Sequence, residues 1–255
     1  MNRAALRPVR PILPAFLFLL VLTITGCPKR TDFKGPDTAP AALDSALAAL
    51  DAGNYRQAEE ALNWVIFNFP GSRQAADAQY WLADSYFRRE QYTLAQTEFD
   101  FYLRSFPYGR FQEEAYYKTG VCWLRLAPSG ARDQSPLLQA QEILSEFLTL
   151  YPDSELRPQV EQALAEIERR RNERDFAIAR LYYRSDVHLS ALVYYNYIAE
   201  SLPPERWDPQ DRLKFAICHA EAGDRDTARI LLESLADDDN PPDIRRQARE
   251  RLERL

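Results

Sequence analysis

Between residues 76 and 107, apolar side chains recur every three to four positions, and the pattern falls into two halves. Tyr80, Trp81, Leu82, Ala83 and Tyr86 share one face of a first helix; Tyr92, Ala95, Phe99, Tyr102 and Leu103 share one face of a second. Arg88, Arg89, Glu90 and Gln91 make the turn, and Pro107 stops the second helix. Ala83 and Ala95 are small enough to let the helices approach closely, with Tyr86 and Phe99 filling the space beside them. One such pair cannot bury its own apolar face, so it requires stacked neighbours.

The order of Leu82, Ala83, Tyr86, Ala95, Phe99 and Pro107 resembles the tetratricopeptide repeat signature, and the frame recurs along the chain. Copy one runs from about residue 40 to 70. Its Tyr55, Ala58, Leu62, Val65 and Pro70 each lie 37 residues before Tyr92, Ala95, Phe99, Tyr102 and Pro107. Copy three places Tyr116, Tyr117, Gly120, Trp123 and Leu124 on a first helix and Ala140, Leu144, Phe147 and Pro152 after a loop holding Pro128, Gly130 and Pro136. Copy four has no breaker from Leu156 to about Arg184 apart from a first-turn Pro158, which predicts one long helix or two with a bend. Its frame is carried by Ala177, Leu181, Tyr182, Ala191, Tyr195, Ile198 and Pro203, and that of copy five by Leu213, Ala216, Ile217, Gly223, Ala228, Leu232 and Leu235. A charged segment from Asp243 to Leu255 reads as a solubilising cap. The expected fold is therefore all-α, a right-handed α-solenoid of about five helix pairs with a C-terminal capping helix. Residues 41–154 make an N-terminal half and 155–255 a C-terminal half. First helices are expected to line a concave face.

The N-terminus follows a different rule. Arg3, Arg7 and Arg10 precede an apolar run from Ile12 to Thr25 that is too short to span a bilayer core of about 30 Å. The segment reads as an export signal, residues 1–26. It ends in Ile24-Thr25-Gly26-Cys27, which resembles a bacterial lipobox; by that resemblance Cys27 becomes the lipidated, triacylated N-terminus. Pro28 rather than Asp follows, which points to the outer membrane, and residues 27–40 read as a tether. The formal net charge of the whole chain is −6; loss of the leader removes three arginines and leaves −9, a poor footprint for nucleic acid.

Catalytic chemistry is not written in the chain. His188 and His219 are the two histidines, and both fall in the repeat frame as packed or surface residues. No serine or cysteine lies in a nucleophile motif, and no phosphate loop or paired-cysteine metal spacing occurs, so neither enzyme activity, cofactor nor metal is expected. Cys122 and Cys218 sit at equivalent positions two copies apart and read as small core residues rather than a disulfide. Asp237 to Asn240 lacks the glycine and glutamate of a calcium loop, and Arg169, Arg170 and Arg171 alternate with acids as a paired helix face. What remains is a binding surface. Tyr80, Asp84, Phe87 and Arg88 of copy two, with Tyr117, Val121, Leu124 and Arg125 of copy three, are expected to bind peptide; Arg180, Tyr183 and Arg184 extend the row. Rings suit apolar side chains and guanidinium suits a terminal carboxylate.

Over about residues 41–203 the chain resembles the BamD family of outer-membrane assembly lipoproteins. The resemblance rests on the lipobox, on Phe69-Pro70 and Phe106-Pro107 closing their copies, on Arg132-Asp133-Gln134, on Tyr151-Pro152-Asp153-Ser154 and on the run from Glu173 to Tyr183. Copy five departs from it, with His219 and Arg225 in place of aromatics. The resemblance implies a non-catalytic scaffold, lipid-anchored on the periplasmic face of the outer membrane. Its C-terminal half, with Arg180, Tyr183 and Arg184, would dock on a BamA-like barrel-forming subunit beside other assembly lipoproteins. Its N-terminal copies would receive unfolded outer-membrane proteins. A tetratricopeptide lipoprotein serving peptidoglycan synthesis or envelope division is the alternative.

Overall fold

The computed structural model describes residues 34–128, 133–237 and 239–255. The expected leader, Cys27 and residues 27–33 of the tether lie outside the described residues, as do Arg132 and Asp238. Lys34–Leu255 forms one compact unit. Five helix pairs follow one another: α1 (Ala39–Asp51) with α2 (Tyr55–Asn68), α3 (Arg73–Arg88) with α4 (Tyr92–Ser105), α5 (Gln112–Leu126) with α6 (Ser135–Leu150), α7 (Arg157–Arg184) with α8 (His188–Ser201), and α9 (Pro209–Glu221) with α10 (Arg225–Leu235). A short 3₁₀ turn, Pro204–Arg206, joins α8 to α9, and α11 (Pro242–Leu252) closes the series. Among the described residues there is no strand. The architecture is the all-α solenoid expected from the periodicity.

Each helix packs on the next, and first helices also reach first helices: α1 to α3, α3 to α5, α5 to α7, α7 to α9 and α9 to α11. The core alternates small and large. Ala83 shares a buried cluster with Phe99 and Tyr102, Ala179 with Tyr195 and Ile198, and Ala216 with Leu232 and Leu235. In copy three the small residue is Gly120. A Cβ there would lie 2.6 Å from both Cγ and Cδ2 of the fully buried Leu144. The cap seats Ile244 and Ala248 on the copy-five cluster and leaves most of its charged residues in solvent.

Four of the five pairs share one turn. Gly53, Glu90, Asp186 and Gly223 stand at equivalent positions, all with left-handed φ of 73°, 57°, 57° and 85°. The next residue's N–H returns to the carbonyl five positions back in each: Asn54 to Ala49, Gln91 to Tyr86, Val187 to Tyr182 and Asp224 to His219, at 2.9–3.0 Å. This is a Schellman closure, which satisfies the last carbonyls of the first helix. Copy three has no such turn because residues 127–134 intervene.

Copy four departs from its expected frame. Residues 157–184 form one helix of 28 residues. Its buried small residue is Ala179, whereas Ala177 and Leu181, expected inside, are exposed. Ala179 stands 12 residues before Ala191, as Ala83 stands before Ala95, and the helix's length accounts for the exposure of Leu181. The copy-three cluster takes Val160, Ala163 and Ile167 from the N-terminal half of α7, so α6 packs there, away from the C-terminal half.

Alanine is a better helix former than glycine by about 1 kcal/mol. At residue 120 the clash with Leu144 reverses that sign. Gly120→Ala is expected to destabilise the fold by about 1–2 kcal/mol, read as a lower midpoint in denaturant unfolding with an unchanged slope.

Candidate protein-binding site

The residues expected on the surface of α3 are drawn inward by α5. The Tyr80 ring, 3% exposed, stacks on Phe111 at 4.1 Å and meets Trp81 edge-on at 5.1 Å. Its hydroxyl accepts from Lys118 Nζ at 2.9 Å. Asp84 is also buried; it accepts from Arg88 Nε at 2.7 Å and from the Lys118 ammonium. Phe87 is half-buried, edge-on to Tyr92 and Phe99, with Lys118 Nζ 5.7 Å from its ring centre. Arg88 lies 5.7 Å over Trp81. The four residues do come together, but Tyr80 and Asp84 are parts of the α3–α5 joint rather than open surface. Burial opposes the charge on Lys118, yet Asp84 and Tyr80 outweigh it and hold the ammonium above the ordinary lysine value. Sequence reasoning missed Lys118. Its signal was that it is the one charge between Glu114 and Arg125.

One turn further along α5 the surface opens. Tyr117, Val121, Leu124 and Arg125 face Gln162, Glu166 and Arg170 of α7 across a groove of about 530 Å³. Arg170 is fixed there: it donates to the carbonyls of Leu124 and Ala127, the frayed end of α5, and to Glu166 at 2.7 Å. Bonds from Arg169 first, then from Arg170, pull the Glu166 carboxyl down to about 2, so this wall stays ionised. Arg125 is exposed and has no ion pair among the described residues. The groove thus offers an apolar floor, a tyrosine and one free guanidinium.

Of the three candidates on α7, Arg180 is committed to a partner within the chain. Its guanidinium forks onto the buried Asp211 of α9, with Nε 2.9 Å from Oδ1, and Lys214 and the Tyr195 hydroxyl add to the same carboxylate at 3.3 and 3.4 Å. Burial pushes Asp211 up, but bonding from Arg180 and the charge of Lys214 win and leave it below the ordinary value. Tyr183 is half-buried, edge-on to His188 at 5.1 Å, and touches both the copy-four and copy-five clusters. Arg184 is exposed and has no ion pair among the described residues. Of the Arg169 to Arg171 run, Arg169 and Arg171 are exposed, with Arg169 paired to Glu166 and Glu173, whereas Arg170 is turned onto the end of α5. His219 packs edge-on to Phe215 and bonds Asp224. Among the described residues there is no cluster able to hold a metal, and no helix long and apolar enough to cross a membrane.

A family model for the outer membrane lipoprotein YfiO matches residues 37–219, most of the chain. The chain belongs to the YfiO family. That family is one of outer membrane lipoproteins, and its match spans α3, α5, α7 and the groove between them. No curated protein matches. Solved structures similar to this YfiO-family chain include YrrB, a TPR protein with an unusual peptide-binding site, at 15% identity over 77% of this chain and 84% of that one, with a TM-score of 0.36. They also include a thermophilic TPR protein of Thermus thermophilus, at 16% over 84% and 98%, with a TM-score of 0.37. A third is the assembly chaperone of RpL4, at 18% over 85% and 97%, with a TM-score of 0.31.

Three outcomes follow from this geometry. Cys122 and Cys218 are free and buried, and burial pushes both thiols up to about 12. Iodoacetamide at pH 8 is expected to leave both unmodified in the native chain and to label both in denaturant, by mass spectrometry. Removing Arg180 leaves the buried Asp211 carboxylate with Lys214 and Tyr195 alone, so Arg180→Ala is expected to cost about 1–2 kcal/mol. Because the Asp211 carboxyl is depressed on folding, its contribution is present above the ordinary aspartate value. It is lost as pH falls through the lowered one; Asp211→Asn should remove that part of the acid limb of a stability–pH curve.

Proposed function

We propose that the chain is a non-catalytic scaffold lipoprotein of the outer-membrane β-barrel assembly machinery. Cys27 carries the lipid anchor, and the helix stack faces the periplasm. The stack receives unfolded barrel proteins and docks on a BamA-like barrel-forming subunit through its C-terminal half, where Arg184 and the edge of Tyr183 remain accessible. Membership of an outer membrane lipoprotein family supports the location. The observation that carries the rest is the groove between α5 and α7. Val121 and Leu124 supply a floor for an aromatic side chain, Tyr117 a ring beside it, and Arg125 an unpaired donor for a carboxylate. An extended segment ending in an aromatic residue has both features. The buried Asp84 and the half-buried Lys118, next to the groove, hold α3 and α5 in register beneath it. None of these groups has a partner arranged for proton transfer or nucleophilic attack, and binding alone meets the demand of such a role.

A charge-assisted hydrogen bond contributes about 1.5–3 kcal/mol, which corresponds to roughly tenfold or more in affinity. Arg125→Ala is therefore expected to weaken capture of a barrel protein's C-terminal peptide about tenfold. Amidating that peptide should weaken wild type equally and have no further effect in the variant, by fluorescence anisotropy. Unchanged affinity in Arg125→Ala would rule the groove out. In cells, crosslinking from residue 184 should recover the barrel-forming subunit; recovery of peptidoglycan synthases instead would refute the assembly role.

A further inference from the structure

The repeat frame makes the molecule its own control, and it exposes a place where a helix is missing. In copy two, Ala75, Ala78, Leu82 and Ser85 lie on one face of α3, and all four are buried where α2 packs on α3. Copy three repeats this. Ala115, Thr119 and Cys122 of α5 are buried, with Phe99 and Tyr102 of α4 in the same cluster as Ala115 and Cys122. Copy five repeats it again, with Asp211, Phe215 and Cys218 of α9 buried beside Tyr195 and Ile198 of α8. The equivalent face of copy four is Arg171, Arg174, Ile178 and Leu181. Arg171 is exposed, Arg174 and Ile178 are half-buried, and Leu181 is 54% exposed, against 0% for each of Ser85, Cys122 and Cys218.

The cause is the length of α7. The preceding second helix, α6, packs on Val160, Ala163 and Ile167; along the three turns from 171 to 181 it meets Arg171 through Gln141 but adds no residue to the copy-four cluster, and Leu181 stays bare. At about 1.5 Å per residue that bare stretch is roughly 15 Å long, enough to seat three turns of a helix. Its near end is walled. Arg171, Arg174 and Glu168 of α7 border a groove of about 690 Å³ with Gln141 of α6 and with Tyr197 and Glu200 of α8. Arg171 is bonded to Gln141 at 3.1 Å and Arg174 to Asp175 at 2.9 Å. Glu168 and Glu200 form no salt bridge among the described residues; Arg171 forms none either, and with Arg174 paired to Asp175 the acids that line this wall outnumber its bases.

We propose that this slot takes an amphipathic helix from another protein. The helix carries two large apolar residues three apart, set over Ile178 and Leu181, and a lysine or arginine that reaches Glu168 and Glu200. The apolar pair is what the chain's own helices supply at the equivalent faces: Phe99 and Tyr102 from α4, Tyr195 and Ile198 from α8. A second copy does not lend these pairs, because they, and Leu62 with Val65 and Leu232 with Leu235, are already buried in its own stack. Helix-in-groove recognition needs nothing further. The slot lies apart from the α5–α7 groove and does not depend on what that groove binds.

The test uses the full-length, membrane-anchored chain in its own cells with Leu181→p-benzoylphenylalanine, followed by sequencing of the crosslinked peptide. The expected adduct is a helical segment of a different protein that has the i, i+3 apolar pair beside a basic residue. Its yield should fall at least tenfold when Glu168→Lys and Glu200→Lys are added, and stay unchanged with Arg125→Ala. Both glutamates are exposed, so the reversed variant should melt like the parent. A synthetic peptide of the captured segment should bind the purified chain, at least tenfold more weakly after Ile178→Glu. The proposal is overturned by an adduct only to a second copy, to residues 1–33 or to lipid. It is equally overturned by labelling no greater than from a probe at Thr97 on the solvated face of α4, or by a yield indifferent to the charge reversals.

Discussion

One contact, made in every pair, sets the geometry of the stack: a small residue on the first helix against a large apolar one on the second. Ala46 and Leu62, Ala83 and Phe99, Ala179 and Tyr195, and Ala216 and Leu232 occupy these places, all buried. Gly120 and Leu144 are the tightest version. The contact sets the distance between the two helices, and therefore where the next pair can rest. The large member works in two directions. Phe99 and Tyr102 close their own pair and also cover Ala115 and Cys122 of the following one. Packing within a pair and packing between pairs are thus one cluster, which is why no pair could fold by itself.

Charge adds register to this apolar plan. Asp77 meets Arg110, Asp84 meets Lys118 and Asp211 meets Arg180, each bond running between one copy and the next. All three carboxylates are buried. Burying an ion pair contributes little net stability, but sliding one helix along its neighbour would leave a bare charge in the core. The pairs therefore specify how successive first helices align, and the groove on α5 inherits that alignment.

Much of this was legible beforehand, because periodicity and the spacing of small residues are local properties. Tyr55, Tyr92 and Ala191 located second helices, and Gly53 and Gly223 marked turns that Glu90 and Asp186 also make, at some cost in backbone strain. The slip in copy four was a miscount: Ala46, Ala83 and Ala216 each stand 12 residues before Ala58, Ala95 and Ala228, and the residue 12 before Ala191 is Ala179, not Ala177. What the count does not show is that Leu181 lies bare, which depends on where α6 packs. The candidate site residues divide the same way. Tyr117 and Arg125 fall on open surface as their position predicts. Tyr80 and Asp84 do not, and Arg180, though exposed, is already paired, because a helical period reveals a face but not whether Lys118 or Asp211, from another copy, already occupies it.

The unbroken α7 changes how the array responds to strain. Elsewhere, neighbouring pairs are separated by a connecting segment, and a row of repeats can crack at such a seam while the pieces on either side stay folded. Residues 151–156 also connect copies three and four, but α7 carries side chains of both clusters, so the two are joined by a run of main-chain hydrogen bonds within a single helix. Parting them means melting the middle of that helix and uncovering Ile167 and Ala179 together. A pull applied at one end of the molecule is therefore carried through this point as through a rod, and breakage moves to the looser joints on either side.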